Sequence, residues 1–373
     1  MNALFVCGGT AGHINPALAV ASELRVREPD AKILFVGAGK DLEKKLIPQA
    51  GFHLVNIRMS GLRRGFTPDD ILFNMKTFRY LATAGLKTEK LIRRFKPDAV
   101  IGTGGYICFP VLKKAAQMGI PTVVHESNAV PGLTTKLLSA NVDAVLTSFI
   151  GLEGLYRRPE RVIFTGTPVR QGFDHTRTYS EKPDRNGKPL VVSFWGSLGA
   201  EHMNEMVADF IKRSSESGLF DYIHAAGKNG GLGIIKKRLK QLGVTEGQLS
   251  GIEVKEYIDD MQAVMAAADI IICRAGGSTI AELTLMGKPS ILIPSPYVTN
   301  NQQLENAKQV RKAGGALVIN EKDCTGQALF EAVASLLEDK DKLRQMVQAQ
   351  KSLGAPDAAK KIVDIVFDLC EKM

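Results

Sequence analysis

Short runs of β-branched residues alternate with longer amphipathic stretches along almost the whole chain, and this alternation constrains the fold more than any other feature. It is typical of βαβ units, in which parallel strands are joined by helices. The pattern is interrupted once, by the polar segment 174–189, which we interpret as a loop at a domain boundary. We therefore predict an α/β protein of two doubly wound domains. Its strands are expected near residues 3–7, 33–36, 53–57, 99–102, 121–124, 143–147, 162–164, 190–194, 222–225, 252–255, 269–273, 290–293 and 316–318.

Both halves open in the same way, with a strand that runs into a glycine-rich turn. Residues 7–12 read CGGTAG and residues 195–199 read WGSLG. In open parallel sheets, ligands bind beyond the carboxyl ends of the strands. Two such domains facing each other would place both turns around one cleft, and we expect the ligand there.

Charge and cysteine content narrow the classes of function. The 48 Lys and Arg against 39 Asp and Glu give a net charge of +9, which favours anionic partners such as nucleotides, nucleic acid or phospholipid without choosing among them. The five cysteines contain no C-x-x-C, which argues against a disulfide framework and a structural zinc site. We find no signal peptide and no run of 18 apolar residues, so we expect no membrane span.

The first turn, GGTAGH at 8–13, indicates an anion site, because glycines let a ligand approach the backbone and helix N-termini favour negative charge. Its spacing is not G-x-G-x-x-G and no acidic residue ends the second strand, which disfavours a dinucleotide. A tight turn without a ligand remains an alternative. His13 is either a base or polar contact, or a helix-start residue without chemistry.

Two further strand ends in the first half carry polar or glycine-rich residues. GTGGY at 102–106 suggests, together with the first turn, a surface that admits a bulky anion such as a diphosphate. HESN at 125–128 is not H-E-x-x-H, since Ala129 stands where the second histidine would be. It is either a set of contacts into the cleft or a polar turn.

RAGGSTIAE at 274–282 is the most informative segment of the second half. We expect Ser278 or Thr279 to start a helix after the two glycines. Glu282 would then lie in the first turns, where its carboxylate suits a ribose diol or merely complements the helix dipole. Ser197 is placed to bind a phosphate, and the amides of NNQQ at 300–303 suit sugar hydroxyls or begin an ordinary polar helix.

Residues 71–95 mix bulky apolar and basic side chains. This mixture is compatible with an interfacial patch on anionic lipid. A helix with one face in the core and its charges solvated is the simpler alternative, and the segment alone favours it.

Taken together and in order, these pieces resemble the MurG family over nearly the whole chain. Members are bacterial transferases that add N-acetylglucosamine to the lipid-linked muramyl-pentapeptide of peptidoglycan synthesis. The matching pieces are GGTAGH (8–13), GTGGY (102–106), HESN (125–128), GTPVR (166–170), GSLGA (196–200), EYIDDM (256–261), RAGGSTIAE (274–282) and NNQQ (300–303).

The resemblance implies the GT-B type of fold and an inverting transfer. Residues 1–168 would face the acceptor and the membrane, with a helix over 356–373 packing back on them, and residues 169–355 would bind UDP-N-acetylglucosamine. The acceptor would be undecaprenyl-pyrophosphoryl lipid I and the product lipid II, for cell-wall growth and division. The protein would lie peripherally on the cytoplasmic face of the cell membrane, where 71–95 contacts anionic inner-leaflet lipid. No cofactor or metal is implied, and we see no Asp-x-Asp at a strand end.

The resemblance also implies roles for individual residues. His13 is the first candidate for the catalytic base and Glu126 the second. Ile258 would contact uracil through its backbone, Glu282 the ribose, and Ser197 and Arg170 the phosphates. The remaining substrate contacts are expected from Thr10, Ala11, Gly12, Asn128, Gly277, Ser278, Thr279 and Gln303. Ala11 replaces a usual glycine and Trp195 another.

Two alternatives stay open at this point. Another GT-B enzyme, either a glycolipid synthase or a UDP-sugar epimerase, would share much of this pattern. A basic nucleic-acid-binding protein is disfavoured, because no recognisable RNA or DNA motif clusters aromatic with basic residues.

Overall fold

The computed structural model describes residues 1–61, 67–170, 173, 187–196 and 199–372, with the backbone alone at residues 68, 71, 73, 74, 76, 78, 79, 81 and 82. The chain forms two compact units, Met1–Gln171 with Ala355–Met373, and Gly172–Gly354. Each is built on one parallel sheet, which confirms the predicted α/β class with two doubly wound sheets. Of the predicted boundary loop, residues 174–186 lie outside the described residues.

The first unit has a seven-stranded sheet whose order reverses between its first and fourth strands. Its strands are β1 (Asn2–Cys7), β2 (Lys32–Gly37), β3 (His53–Asn56), β4 (Ala99–Gly104), β5 (Thr122–Glu126), β6 (Ala144–Thr147) and β7 (Val162–Phe164), in the order β3-β2-β1-β4-β5-β6-β7. Its helices before the second unit are α1 (Ala11–Arg27), α2 (Asp41–Gln49), α3 (Pro68–Phe95), α4 (Cys108–Gln117) and α5 (Leu133–Leu138). The reversal between β1 and β4 is the place where doubly wound sheets bind ligands.

The second unit repeats this plan with a six-stranded sheet. Its strands are β8 (Leu190–Phe194), β9 (Asp221–Ala225), β10 (Ile252–Lys255), β11 (Ile270–Cys273), β12 (Ser290–Leu292) and β13 (Ala316–Val318), in the order β10-β9-β8-β11-β12-β13. Its helices are α6 (Glu201–Ser217), α7 (Gly231–Gln241), α8 (Met261–Ala267), α9 (Gly277–Met286), α10 (Gln302–Lys312), α11 (Gly326–Glu338) and α12 (Lys340–Leu353). The order here reverses between β8 and β11.

The strands form where the apolar runs predicted them, and each predicted strand coincides with an observed one apart from small shifts at its ends. Strands β4, β5, β8 and β11 are buried along their whole length. Helices cover both faces of such parallel sheets, so the central strands read as continuous apolar runs. The rings of Phe5 and Phe35 stack across β1 and β2 with centroids 5.2 Å apart.

The last helix, α13 (Ala358–Glu371), belongs to the first unit and packs against α1. Ile362, Val363 and Val366 are buried in the core of that unit. Arg27 of α1 lies 2.5 Å from a carboxylate oxygen of Asp364. Among the described residues, no helix combines the length and the apolar character that crossing a bilayer requires.

Candidate active site

The turn after β1 holds His13 in a defined orientation. Gly9 has a φ of +89°, and the extended Thr10 is the N-cap of α1, so that His13 lies in the first turn of the helix. Its Nδ1 lies 2.9 Å from the carbonyl oxygen of Gly8. A carbonyl oxygen only accepts hydrogen bonds, so Nδ1 carries the proton. The lone pair of the neutral ring is therefore on Nε2, which is what a general base needs.

The glycines after β4 make room for that histidine. A Cβ on Gly104 would lie 2.4 Å from Cδ2 of His13, and a Cβ on Gly105 would lie 2.6 Å from the carbonyl oxygen of Gly8. Thr103 Oγ1 donates to the carbonyl oxygen of His13 at 2.6 Å. The two glycine turns interlock at the reversal of the sheet. The close approaches at Gly104 and Gly105 are to protein atoms, and the anion-admitting surface suggested by the two glycine-rich loops stays a prediction.

Glu126, at the end of β5, is buried and engaged within its own loop. Its Oε1 accepts from the backbone N–H of Asn128 at 3.2 Å and from Nδ2 of the same residue at 2.9 Å. Its Oε2 accepts from the backbone N–H of Gly132 at 2.9 Å and from Thr135 Oγ1 at 2.7 Å. A proton from a substrate could reach this carboxylate only if some of these bonds broke. The geometry therefore favours Glu126 as the group that orients Asn128.

The neighbouring His125 is buried and neutral. Its Nε2–H donates to the carbonyl oxygen of Gly166 at 3.0 Å, while the buried Nδ1 has no hydrogen-bond partner among the residues that the structure describes. Burial lowers the pKa of His125 to about 4, because the charged ring would lose its hydration. No separate role for His125 was expected from the sequence, and its hydrogen bond to Gly166 connects the end of β5 to the segment after β7.

In the second unit, the turn after β11 presents the start of α9. Gly276 is the N-cap and α9 begins at Gly277, so the helix starts earlier than expected, and Ser278 and Thr279 lie inside its first turn. The first N–H groups of a helix have no acceptor within the helix, and they form a favourable end for an anion. Glu282 lies further along the same helix and is partly exposed.

Residues distant in sequence support this turn. Arg274 Nη1 lies 2.6 Å from Glu321 Oε2 and donates to the carbonyl oxygen of Ile293 at 3.1 Å. Both partners of the ion pair are nearly buried, with side-chain exposures of 12% and 8%. Asn306 Nδ2 donates to the carbonyl oxygen of Ala275 at 3.1 Å. Glu321 and Asn306 were not found from the sequence, since no local motif marks their contacts.

The other predicted donor-site residues are placed as follows. The side chain of Ile258 is buried, whereas the residues on either side of it are exposed. Gln303 lies in the first turn of α10, and its Oε1 accepts from the backbone N–H of Ser295 at 2.8 Å, so this oxygen is engaged within the protein. Arg170 is exposed and groups with the first unit. Ser197 lies outside the described residues.

The predicted lipid-binding segment 71–95 lies within helix α3, which begins at Pro68 after a capping box from Thr67. Leu72, Met75 and Leu86 are exposed on it. Several side chains on which the prediction rests, including those of Ile71, Phe73, Lys76, Phe78, Arg79 and Leu81, lie outside the described residues. The contact with lipid stays a prediction.

No group of three or more His, Cys, Asp or Glu side chains that could hold a metal ion is found in the part of the chain that the structure describes. That the reaction needs no metal stays a prediction from the sequence.

Comparisons with known proteins agree on one family. Residues 3–147 match the glycosyltransferase family 28 N-terminal domain, and residues 190–362 match the C-terminal domain of the same family. A protein of Acetivibrio thermocellus is 43% identical over 372 residues, covering 99% of this chain and 98% of that protein. It is named UDP-N-acetylglucosamine--N-acetylmuramyl-(pentapeptide) pyrophosphoryl-undecaprenol N-acetylglucosamine transferase.

Two solved structures resemble the chain in fold. Acinetobacter baumannii MurG has a TM-score of 0.76 at 22% identity, covering 100% of this chain and 99% of that one. A UDP-GlcNAc 2-epimerase from Neisseria meningitidis, bound to UDP-GlcNAc, has a TM-score of 0.68 at 15% identity, covering 99% and 100%. These two likenesses show the fold alone, and the family is shown by the two domain matches and by the 43% identity to the Acetivibrio thermocellus protein. The chain belongs to glycosyltransferase family 28 and, within it, to the MurG family.

Proposed function

We propose that this protein transfers N-acetylglucosamine from UDP-N-acetylglucosamine to the muramyl-pentapeptide of undecaprenyl-pyrophosphoryl lipid I, giving lipid II. The observation that carries the proposal is the 43% identity, along 99% of the chain, to a transferase named for this reaction. That identity spans both the unit with His13 and the unit with Glu282. A likeness confined to one unit would leave either the donor or the acceptor undefined.

In this mechanism His13 is the general base. The acceptor hydroxyl oxygen forms a bond to the anomeric carbon, the bond from that carbon to the diphosphate oxygen breaks, and UDP leaves with the electron pair. The hydroxyl proton passes to Nε2, which holds the lone pair because Nδ1–H donates to Gly8. Displacement from the side opposite UDP inverts the anomeric centre. His13 is favoured over Glu126 as the base, because the carboxylate of Glu126 already accepts four hydrogen bonds from the protein.

The second unit binds the donor in this proposal. The N–H groups at Gly277, Ser278 and Thr279 meet the diphosphate and stabilise the charge that develops on it as UDP leaves. Glu282 accepts hydrogen bonds from the ribose hydroxyls, and the loop at Ile258 contacts uracil through its backbone. The other contacts implied by family resemblance are those of Arg170 and Ser197 with the phosphates and those of Asn128, Gln303 and the Thr10–Gly12 turn with the sugar.

The lipid acceptor requires that the enzyme meets a membrane. We infer that 71–95 lies on anionic lipid of the inner leaflet, so that the protein is peripheral at the cytoplasmic face. The exposed Leu72 and Met75 and the net charge of +9 support this. The wild-type protein is expected to cosediment with phosphatidylglycerol vesicles but not with phosphatidylcholine vesicles. Its binding to the phosphatidylglycerol vesicles is expected to weaken in Met75→Ser. Equal binding to both vesicles would contradict the inference.

A transfer assay tests the function directly. Labelled UDP-N-acetylglucosamine is incubated with and without a lipid-linked muramyl-pentapeptide, and the label is expected in lipid only when the acceptor is present. Release of free sugar or of an altered UDP-sugar without acceptor would instead indicate an epimerase. Binding to random DNA or RNA at physiological salt would contradict the expectation that nucleic acid is no partner.

Two histidine variants test the base. His13→Ala is expected to lower kcat by about 10²- to 10⁴-fold, the usual contribution of a general base, while UDP-sugar binding is unchanged. His53→Ala, which removes an exposed histidine from β3 of the same unit, is the control and is expected to keep the wild-type rate. Turnover near wild type in His13→Ala would remove His13 from this role.

A further inference from the structure

Glu43, in the first turn of α2, is a buried carboxylate in an unusual setting, with a relative exposure of 0%. Its Oε2 accepts from the backbone N–H groups of Gly39 at 2.8 Å and Lys40 at 3.0 Å. These two bonds cap the helix to which Glu43 belongs. Its Oε1 accepts from the backbone N–H of Gly9 at 2.9 Å, 34 residues away and in the turn after β1. Helix capping does not account for this third bond.

Two glycines clear the space that this carboxylate fills. A Cβ on Gly8 would lie 2.9 Å from Oε1 of Glu43, and a Cβ on Gly37 would lie 2.6 Å from Oε2. Gly8 follows β1 and Gly37 ends β2, so the backbone at two neighbouring strand ends is shaped around one side chain. A carboxylate buried at this depth is stable only with such donors around it.

The bond to Gly9 leads directly to His13. The N–H of Gly9 and the carbonyl of Gly8 belong to the same peptide group, which is planar and trans. One side of this group donates to Glu43, and the other accepts from Nδ1 of His13 at 2.9 Å. Hydrogen bonds at the two ends of one peptide polarise each other. The peptide therefore connects a buried carboxylate to the imidazole.

We propose that Glu43 is a positioning residue for His13. It fixes the Gly8–Gly9 peptide with its carbonyl oxygen towards Nδ1, and so holds the imidazole in the tautomer whose lone pair is on Nε2. The peptide needs this support because it joins two glycines, and glycine restricts the rotation of a peptide less than any other residue. The kinetic consequence rests on the proposed role of His13 as the base, whereas the tautomer does not.

Nuclear magnetic resonance of the histidine rings tests the tautomer. In the wild-type protein, at a pH where the ring is neutral, ¹⁵N and ¹³C shifts are expected to show the proton of His13 on Nδ1. Glu43→Gln is expected to give a mixture of both tautomers, because an amide cannot accept with both of its polar atoms. Asp41→Asn is the matched control, since it removes an exposed carboxylate from the same turn of α2 and is expected to leave the spectrum unchanged.

Steady-state kinetics test the consequence. Groups that orient a metal-bound histidine typically contribute about 10- to 100-fold, and we expect kcat of Glu43→Gln to fall by a similar factor. The KM for UDP-N-acetylglucosamine is expected to stay within about twofold, because the proposed contacts with uracil, ribose and the start of α9 lie in the other unit; a fold-wide defect would change both kcat and KM. Gly37→Ala crowds Oε2 from β2 without altering the turn that carries His13, and it is expected to shift the tautomer in the same direction.

The outcomes separate this inference from the proposed function. A wild-type His13 with its proton on Nε2 would overturn the inference without any variant, so a Glu43→Gln protein that fails to fold does not leave it untested. The inference would also be overturned if the Glu43→Gln protein showed a pure Nδ1–H tautomer together with a wild-type kcat. A shifted tautomer in Glu43→Gln, combined with full turnover in His13→Ala, would support the positioning role and refute His13 as the base.

Discussion

The buried His224 is expected to make the second unit less stable as the pH falls. Its ring, in β9, is 0% exposed. Its Nδ1 lies 2.6 Å from Ser193 Oγ, and its Nε2 lies 3.2 Å from Asn204 Oδ1. The amide of Asn204 donates to the carbonyl oxygen of Ala226, which leaves Oδ1 as an acceptor and places the ring proton on Nε2. Burial lowers the pKa of His224 to about 3, because a charged ring would lose its hydration there.

The size of the effect follows from proton linkage. A histidine in the unfolded chain has a pKa of about 6.5 and takes up a proton at pH 5, whereas the native ring stays neutral. The unfolded state binds more protons over this range, so the free energy of unfolding falls with pH. Between pH 7.5 and 5.0 the loss from this one group is about 2 kcal/mol. The unfolded pKa sets this figure, because the native ring does not titrate until near pH 3.

Urea denaturation at the two pH values, monitored by the fluorescence of Trp195, measures this loss of stability. This residue is the single tryptophan of the sequence, and its ring centroid lies 5.9 Å from that of His224, so the signal reports on the second unit. In His224→Gln the decrease in the free energy of unfolding between pH 7.5 and 5.0 is expected to be about 2 kcal/mol smaller than in the wild type. His202→Gln, an exposed site on α6, is the control and is expected to behave as the wild type. Equal pH dependence in the wild type and His224→Gln would refute the reasoning.

Four further outcomes are expected. Gly104→Ala places a Cβ 2.4 Å from His13 Cδ2 at a φ of +122°, and is expected to lower kcat by about 100-fold in steady-state kinetics, with the KM for UDP-sugar unchanged. Glu321→Gln leaves the buried charge of Arg274 without its counter-ion, and is expected to lower the unfolding free energy of the second unit by about 3 to 5 kcal/mol in urea denaturation. Cys370 is partly exposed, whereas the other four cysteines are buried, so a thiol reagent is expected to modify mainly Cys370 in the native protein and all five in urea. Turnover is expected to be unchanged by EDTA in a transfer assay, and a loss restored by added Mg²⁺ would contradict the prediction of a metal-independent reaction.

Features encoded in contiguous residues could be predicted from the sequence. The apolar run before Gly8 predicted β1, and the glycine pair before Ser278 predicted the turn that leads into α9. Each of these follows from local chemistry, since buried parallel strands need continuous apolar residues and turns need residues that tolerate their backbone angles. The resemblance of the ordered motifs to one family added the substrates, which no single motif indicates.

Features that depend on contacts between distant segments could not be predicted. Gly9 and Glu43 lie 34 positions apart in the sequence, and nothing in the residues between them indicates that they pair. Gly104 illustrates the same limit, because a glycine that clears room for a ligand and one that clears room for His13 look alike in sequence. The role of Glu126 also depends on its surroundings, since only the positions of its four donors distinguish a support from a base.

The three carboxylates at these turns share one physical consequence. Glu43 and Glu126 are surrounded by N–H and O–H donors of the protein, and Glu321 is paired with Arg274. A carboxylate left open at such strand ends would repel a diphosphate in surroundings that screen charge poorly. Each carboxylate here is instead paired with a cation or hydrogen-bonded by the protein, and it supports a turn at the end of a strand. In the proposed reaction the departing diphosphate meets the N–H groups at the start of α9, whereas His13 serves the acceptor hydroxyl on the opposite side of the sugar. This is why we expect Glu43→Gln to slow the reaction through His13 and not through binding of the diphosphate.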